Sequence, residues 1–494
     1  AIAAPAWLLS RSFMFGSGVD PGAPIVDGHA LDNGHKYYYF GLALFFICFV
    51  ICANVRRSGF GRLLVAIRDN EDNARAFAVR ATVVKMQGYL IAGFIAGIGG
   101  AVYAHSRTPV DAAIFPSTTS IDIVVMTVLG GISSIAGPII GCAWIIGIPK
   151  LPRLGNLGLA ATYFGATAMI LWRPNGLISF AETPRRLVVS ALARLHGIDA
   201  KEAFASYRSV AGANAVEAVG VRLTDRPVEP IPTQRVAVRP TILEARSLVK
   251  RFGGITAVNN VSFAVRAGEI VGLLGPNGAG KTTTFELLGG FTKPDRGAVL
   301  FDRRDVSHLG PESRARLGLI RSFQDAALFP TMTVEETVTL AQERISRTSF
   351  IGSVLGISGR SDRAKHARAR ELIGMLGLDA YRDRQIRELS TGTSRISEIA
   401  CLVALEPRCL LLDEPSSGIA QRETEGIGVL LDDLKRQLDL TLVVLEHDIP
   451  LIMGISDRIV AMADGLVIAE GTPDVVRDNS LVIVKLTPDA ACVH

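Results

Sequence analysis

"EIVGLLGPNGAGKTT", residues 269–283, places an apolar strand directly before a glycine-rich turn that ends in Lys281 and Thr282. The turn fits the P-loop pattern, in which backbone N–H groups curl around phosphates and the following helix presents its positive end. We expect Lys281 to reach the β and γ phosphates of ATP and the Thr282 hydroxyl to coordinate Mg²⁺. The residues predicted to bind ATP in this turn are Gly275, Pro276, Asn277, Gly278, Ala279, Gly280, Lys281, Thr282 and Thr283.

Acidic residues follow a second apolar strand, "LLLDEP", about 130 residues further on. Asp413 is placed to hold the magnesium ion, directly or through water, and Glu414 to polarise the attacking water. His447, after the apolar run "LVVLE", is predicted to contact the γ-phosphate and to keep Glu414 in register. Gln324, in "RSFQDAALFP", is predicted to bridge the nucleotide and an adjoining surface and to ligate Mg²⁺. These four predictions depend on the P-loop, because a single acid, His or Gln at a strand end does not by itself indicate a nucleotide site.

These motifs, in this order and spacing, resemble an ABC transporter nucleotide-binding domain over residues 241–475. The resemblance implies that Phe252, in "KRFGG", stacks on adenine with Val258 beside it. The wording of "RFGGITAVNNVSF", "GPNGAGKTT" and "RSFQDAALFPTMTV" is more narrowly similar to the ATPase of branched-chain amino acid importers. Strands such as "EIVGLLG" and "CLLLDE" are typical of a buried parallel sheet in an α/β domain.

The segment "LSTGTSR", residues 389–395, stands where the ABC family usually has Leu-Ser-Gly-Gly-Gln. In that family two ATPase domains face each other, and this signature contacts the nucleotide of the partner domain. Ser390, Thr391, Gly392 and Thr393 are predicted to take this role. Losing the usual Gln removes side-chain contacts worth about 1 kcal/mol per hydrogen bond, so we expect a working but atypical element. Ala420, where many members have Asp, also indicates unequal sites.

The first half of the chain has the composition of a membrane region, and the mean hydropathy of the whole chain is +0.33. The apolar runs 37–55 and 86–104 are each about long enough to cross a bilayer, a soluble core helix being the alternative. Arginines that follow the first run put that end in the cytosol. Glycines in the second run, Gly93, Gly97 and Gly100, would let neighbouring helices approach closely. A net charge of +5 gives no reason to expect nucleic acid, and six cysteines without motif spacing argue against a zinc site or disulfide framework.

Two further apolar stretches precede the ATPase domain. Residues 121–149 are interrupted by "GGISSIAGP", which we interpret as a hairpin of two short helices, and 158–172 is a further span. Residues 37–180 resemble the later part of the importer family's permease. Within them, 69–80 is similar to the cytosolic coupling segment, a solvated amphipathic loop being the alternative. Its predicted coupling residues are Asp69, Glu71, Ala74 and Ala78, and Ala78 stands where the family usually has Gly, so the turn there is expected to differ.

The predicted fold class is an α-helical transmembrane region, a partial permease, joined to an α/β P-loop ABC nucleotide-binding domain. The predicted divisions are an extracytosolic segment (1–36), the permease (37–180), a linker (181–240), the nucleotide-binding domain (241–480) and a tail (481–494). The predicted location is the cytoplasmic membrane, crossed several times, with the ATPase domain in the cytosol. The expected cofactors are ATP and Mg²⁺, and upstream spans of the permease are expected to be missing.

The resemblance implies ATP-driven import of branched-chain or other aliphatic amino acids. The same machine importing urea or short amides is one alternative, and a membrane-anchored ATPase that acts on lipid or in regulation is another. The expected partners are a second permease subunit, a second ATPase domain, an extracytosolic solute-binding protein and membrane lipid. A homodimer of the fusion stays open beside a heteromer.

Overall fold

A computed structural model describes residues 24–26, 29–31, 33–106, 117–132, 134–147 and 239–486, the last range without 323–327, 358 and 419–420. Positions 22, 164, 167, 176 and 177 are described singly. The predicted linker 181–240, apart from its last two residues, and the predicted span 158–172, apart from two positions, therefore lie outside the described residues. The chain divides into two compact units, residues 1–56 with 88–208 and residues 57–87 with 209–494.

Within the described residues, two helices are long and apolar enough to cross a membrane. They are α1 (Gly34–Arg57) and α4 (Ala81–His105), which contain the two predicted runs. A short antiparallel pair, β1 (Ile25–Val26) and β2 (His29–Ala30), precedes α1 in the chain. A Cβ added at Gly93, Gly97 or Gly100 would meet no described atom within 4 Å. The close helix contact predicted at these three glycines is therefore not made within the described residues.

The interrupted stretch of the first unit forms the predicted hairpin. Helix α5 (Ser117–Gly130) packs on α6 (Gly137–Cys142), which continues as a π-helical turn, Ala143–Gly147. A Cβ at Gly130 would lie 1.7 Å from the carbonyl oxygen of Gly137, and one at Gly141 would lie 1.8 Å from that of Met126. Close helix approach thus depends on glycines at the break rather than on those in α4.

The second unit is built on a six-stranded sheet in the order β12-β11-β5-β10-β9-β8. The strands β5 (Ile270–Leu274), β9 (Cys409–Asp413) and β10 (Thr441–Leu445) are buried along their whole length and pair in parallel. The sheet is completed by β8 (Leu319–Arg321), β11 (Arg458–Ala463) and the antiparallel edge strand β12 (Leu466–Gly471). The parallel core therefore matches the prediction made from the apolar runs.

A second, antiparallel sheet flanks this core, and no sequence pattern noted above predicted it. Its order is β4-β3-β6-β7, and the long pair β3 (Thr241–Phe252) and β4 (Ile255–Arg266) dominates it. The shorter strands are β6 (Arg296–Phe301) and β7 (Arg304–Asp305). Inward side chains of β3 and β4, such as Leu248 and Val261, join those of β5 and β10 in one hydrophobic cluster.

Helices cover the parallel sheet and form a helical region beside it. In chain order they are α7 (Lys281–Gly289), α8 (Pro311–Leu317), α9 (Val334–Ala341), α10 (Phe350–Leu355), α11 (Gly359–Met375), α12 (Thr391–Ala404), α13 (Gln421–Leu438), α14 (Ile449–Ile455), α15 (Pro473–Arg477) and α16 (Ser480–Leu486). Helix α7 begins at the P-loop lysine, and α12 begins within the signature segment.

Residues 57–87 belong to this second unit, although they lie between α1 and the apolar part of α4 in the sequence. They form α2 (Gly59–Asp69), α3 (Glu71–Ala76) and the start of α4. Ser58 caps α2, because its side chain accepts a hydrogen bond from the backbone N–H of Gly61. The segment that resembles the coupling element thus packs with the ATPase domain as one unit.

Candidate nucleotide site

The P-loop lies between β5 and α7 in the conformation that its glycines allow. Gly278 and Gly280 have φ values of +81° and +87°, which favour glycine. A Cβ at Gly280 would lie 2.2 Å from the carbonyl oxygen of Ala257, so a side chain at this position would push the loop away from β4. The local sequence therefore holds the loop close to the strand and the N-terminus of α7 behind it.

A cleft of about 500 Å³ opens above this loop. Its lining residues are Ala257, Asn277, Gly278, Ala279, Gly280, Lys281, Thr282, Thr283, Glu414 and His447. Lys281 lies within the loop, and its Nζ donates to the carbonyl oxygens of Gly275 and Pro276, at 2.7 and 2.9 Å. Burial lowers the pKa of Lys281, and the negative charge of Glu414 opposes this shift. The cleft thus brings an ammonium group, a helix N-terminus and a hydroxyl together, the donors that a nucleotide triphosphate requires.

The predicted water-activating pair is close together on one side of this cleft. Glu414 follows β9, and its Oε1 lies 3.1 Å from Nε2 of His447, which follows β10. Parallel pairing of β9 and β10 brings these two residues together, because their carboxyl ends meet at one edge of the sheet. The backbone of Glu414 has a φ of +47°, in the left-handed region that non-glycine residues rarely adopt. The backbone N–H of Glu414 donates to the carbonyl oxygen of Leu445 at 2.9 Å and anchors this conformation.

Asp413 is nearly fully buried, and in the described structure it is not one of the residues that line the cleft. Its Oδ2 accepts a hydrogen bond of 2.7 Å from the guanidinium of Arg321, the last residue of β8. Arg321 is also buried, and its guanidinium lies 5.3 Å from the ring centre of Phe291. The carboxylate predicted to hold magnesium is therefore paired with a cation 92 residues away, a partner that no sequence motif marks.

The adenine side of the site requires one correction. Phe252, at the end of β3, is half exposed and is available for stacking, with Nζ of Lys250 5.4 Å from its ring centre. Val258 is fully buried in the hydrophobic core, so it does not lie beside the base as predicted. Its neighbour Ala257 lines the cleft instead. Adjacent strand residues face opposite ways, and the resemblance assigned the contact one residue too late.

The signature segment forms the N-terminal cap of α12. Ser390 is the N-cap residue, and its Oγ accepts from the backbone N–H of Thr393 at 3.3 Å. The hydroxyl of Thr393 lies 2.9 Å from the same Oγ. Thr391 is exposed and Gly392 is buried. The backbone N–H of Thr393 is therefore used within the cap of its own helix.

Arg395, one turn into α12, links the signature helix to the backbone of Glu414, a contact that was not predicted from the sequence. Its guanidinium donates to the backbone carbonyl of Glu414 at 3.0 Å and to the Glu398 side chain at 2.6 Å. Both Arg395 and Glu398 are almost fully buried. The only sequence signal was an Arg close to the signature, which is too common a feature to indicate a buried link.

Residues 57–87 contact the ATPase domain at Phe329 and Thr331, whereas Gln324 lies outside the described residues. Asp69 Oδ2 accepts from both the backbone N–H and the hydroxyl of Thr331, at 3.0 and 2.6 Å. Phe77 and Phe329 meet edge to face with ring centres 5.7 Å apart. Ala74 is fully buried, and Glu71 pairs within the segment with Arg75 and Lys85.

Ala78 has a φ of +63°, the left-handed conformation that suits the glycine usual in the family. Its carbonyl oxygen accepts from Arg316 of the ATPase domain at 3.2 Å. The expectation of a different turn is therefore not met, because the left-handed conformation is present despite the methyl group.

A second row of contacts holds α2 on the helical region of the ATPase domain. Arg62 pairs with Asp362 of α11, and both side chains are largely buried. Phe60 meets Phe350 edge to face at 5.2 Å. A Cβ at Gly59 would lie 2.2 Å from the Thr348 hydroxyl, so α2 can approach this closely only with glycine there.

Two protein families match separate halves of the chain. Residues 258–417 match the ABC transporter family, and residues 6–163 match the family described as branched-chain amino acid transport system / permease component. The high-affinity branched-chain amino acid transport ATP-binding protein LivG of Salmonella typhimurium (strain LT2) is 39% identical over 244 residues, which are 49% of this chain and 96% of that protein. The corresponding BraF protein of Pseudomonas aeruginosa is 38% identical over 244 residues, with the same coverage. A solved nucleotide-free ATP-binding cassette from an ABC transporter is 27% identical, covering 49% of this chain and 98% of its own length, with a TM-score of 0.43.

Proposed function

The chain belongs to the ABC transporter family, as a permease domain of the branched-chain amino acid type fused to an ABC ATPase, and from that premise we propose that it imports branched-chain or other aliphatic amino acids. The observation that most supports this function is the packing of residues 57–87 against the ATPase domain. These residues are continuous with the membrane helices α1 and α4, so a movement of the ATPase domain is transmitted directly to the permease. A permease domain lies in a membrane, and we propose that the chain crosses it several times with the ATPase domain in the cytosol.

The chain is an ATP hydrolase, and its own residues account for the chemistry. Lys281 and the N-terminus of α7 bind the β and γ phosphates, and Phe252 with Ala257 contacts the base. Glu414 orients and deprotonates the attacking water, and His447 holds the Glu414 carboxylate at 3.1 Å. Magnesium, when bound, neutralises charge on the phosphates. Thr282 and Asp413 would hold this ion, because they offer the hard oxygen ligands that it prefers.

We propose that the signature works despite its Thr393. A hydroxyl accepts two hydrogen bonds and donates one. When Ser390 Oγ accepts from the N–H and the hydroxyl of Thr393, its own proton stays available for the γ-phosphate of a partner ATPase domain. Thr393 thus replaces the usual Gln by holding Ser390 in place. The partner domain, whose signature serves the P-loop of this chain, completes the second site, and the two sites are unequal.

Transport follows when ATP closes the two ATPase domains. Closure moves the helical region, and the contacts of Asp69, Phe77 and Arg62 transmit that movement to α4 and the permease. The further partners are a second permease subunit and an extracytosolic solute-binding protein that delivers the amino acid.

Uptake into proteoliposomes tests the proposed function. The chain is reconstituted with its partner subunits and solute-binding protein, and ATP-dependent accumulation of radiolabelled leucine is measured. Accumulation of urea or acetamide but not leucine would show that the substrates are urea or short amides rather than aliphatic amino acids. ATPase activity that responds to lipid but not to any solute-binding protein would remove the import function.

Two variants test the nucleotide site. Lys281→Ala removes the charged donor to the phosphates and is expected to weaken binding of a fluorescent ATP analogue roughly 10- to 100-fold, as loss of one charge-assisted hydrogen bond implies. Glu414→Gln keeps binding and is expected to slow hydrolysis about 10²- to 10⁴-fold. Near-normal turnover in Glu414→Gln would show that another residue activates the water.

A further inference from the structure

A second cavity, of about 240 Å³, lies between residues 60–87 and the ATPase domain. We name it the arginine pocket, and its lining consists of Phe60, Leu63, Ala78, Val79, Arg80, Val83, Val84, Gln87, Arg316, Glu343, Arg347 and Thr348. Half of these twelve side chains are apolar, and three of the others are arginines. All lining residues belong to the second unit of the chain. The pocket is separate from the nucleotide cleft and shares no residue with it.

The three arginines outnumber the one carboxylate in the lining of the pocket. Burial, the largest cause, and the positive charges of Arg80 and Arg347 lower the pKa of Arg316, and the negative charge of Glu312 opposes this shift. Within the described parts of the chain, none of the three guanidinium groups is in a salt bridge. Glu343, the carboxylate in the lining, is instead paired with the buried Lys365 at 2.5 Å. The pocket therefore suits an anion, because clustered like charges are costly without a counter-charge.

The apolar part of the lining comes from the start of the membrane helix. Val83, Val84 and Gln87 lie in the first two turns of α4, and Arg80 immediately precedes it. The same helix continues into the apolar stretch that is long enough to cross a bilayer. The ends of a membrane-crossing helix lie at the depth where lipid headgroups meet water, so a lipid headgroup can reach a pocket built on this end of α4.

We propose that the arginine pocket binds one anionic phospholipid at the cytosolic membrane surface. Its phosphate contacts Arg316, Arg347 and Arg80, and its glycerol backbone and adjoining acyl carbons lie on Phe60, Leu63 and the valines. A free phosphate leaves the apolar lining without a partner, and a zwitterionic headgroup offers less net charge to the arginines. The ligand bridges residues 57–87 and the ATPase domain, so its binding strengthens the contact between the coupling segment and the ATPase.

The test measures lipid binding to the full chain purified in detergent, using native mass spectrometry with added phosphatidylglycerol or phosphatidylcholine. The double variant Arg316→Gln/Arg347→Gln is compared with Arg296→Gln/Arg304→Gln, which removes two exposed arginines outside the pocket. We expect the pocket variant to bind phosphatidylglycerol about 30-fold more weakly than the control variant does. Binding of the fluorescent ATP analogue shows that both variants are folded, and Arg316→Lys/Arg347→Lys, which keeps both charges, is expected to restore most of the affinity.

Three results would overturn the proposal. The first is equal phosphatidylglycerol binding by the pocket and control variants. The second is equal affinity of the wild-type chain for phosphatidylcholine, which would indicate a site for acyl chains without charge selection. The third is competition by inorganic phosphate or glycerol 3-phosphate at the concentration that phosphatidylglycerol requires, which would assign the pocket to a soluble anion. Leu63→Asn distinguishes a lipid from a soluble anion, since it is expected to weaken binding of phosphatidylglycerol and to leave binding of inorganic phosphate unchanged.

Discussion

Arg314 supports the P-loop helix from its far end, and replacing it tests how much the nucleotide site depends on that support. The side chain is fully buried in α8. Its guanidinium donates to four backbone carbonyl oxygens, those of Leu287 and Leu288 at 2.6 Å, Leu309 at 3.0 Å and Ser307 at 3.2 Å. Leu287 and Leu288 lie in the last turn of α7, so a cation stands at the negative end of this helix.

The expected cost of Arg314→Met is worked from these contacts. The two bonds that reach the last turn of α7, those to Leu287 and Leu288, each contribute about 1.5 kcal/mol at the lower end of the usual net range for a charged donor. Their sum, about 3 kcal/mol, is the expected loss for α7, and it corresponds to roughly a 100-fold change in a local opening equilibrium. Burial also lowers the pKa of Arg314 to about 10.

Hydrogen exchange of the full chain measures this loss where it occurs. The tryptophans, at positions 7, 144 and 172, all lie in the permease half, so their fluorescence does not report on α7. Amides of Lys281–Gly289 are expected to exchange roughly 100-fold faster in Arg314→Met and to be partly protected again in Arg314→Lys. The control is Arg304→Met, which changes an exposed arginine. Wild-type exchange of α7 in Arg314→Met would refute the assignment of its stability to the two bonds that reach it.

Three further predictions concern the coupling segment and the signature. Ala78→Gly relieves a left-handed alanine and is expected to increase exchange protection of residues 71–79 about twofold, whereas Ala76→Gly, inside α3, is expected to reduce it; equal effects would exclude backbone strain at Ala78. Burial raises the pKa of Asp362, but hydrogen bonding and charge from Arg62 outweigh it, so the net pKa lies below the usual 3.8. This pair therefore stabilises the contact of α2 fully above that value and loses its contribution as pH falls through the lowered pKa. Exchange of α2 between about pH 6 and pH 3 measures this loss, and Asp362→Asn, which lacks this titrating group, is the comparison. Thr393→Val removes the hydroxyl that holds Ser390 and is expected to reduce ATPase activity of the assembled transporter about fivefold, the effect of about 1 kcal/mol; unchanged activity would show that the backbone alone orders the cap.

The sequence alone was sufficient for features that depend on neighbouring residues. The strand–turn–helix at 269–283, the positions of α1 and α4 and the hairpin broken at Gly130 follow from hydrophobic pattern and glycine conformation, which act locally along the chain. The parallel core was predictable for the same reason, since long apolar runs of strand type are buried on both faces.

Tertiary structure alone decided the contacts between distant residues. The pairing of Arg321 with Asp413, the link from Arg395 to the backbone of Glu414 and the burial of Arg314 join residues far apart in the chain. No motif marks these arginines, because burial and pairing of an arginine depend on residues that are distant in the sequence. The sequence also could not show whether Ala257 or Val258 faces the nucleotide cleft, since that depends on the register of β4 against the P-loop.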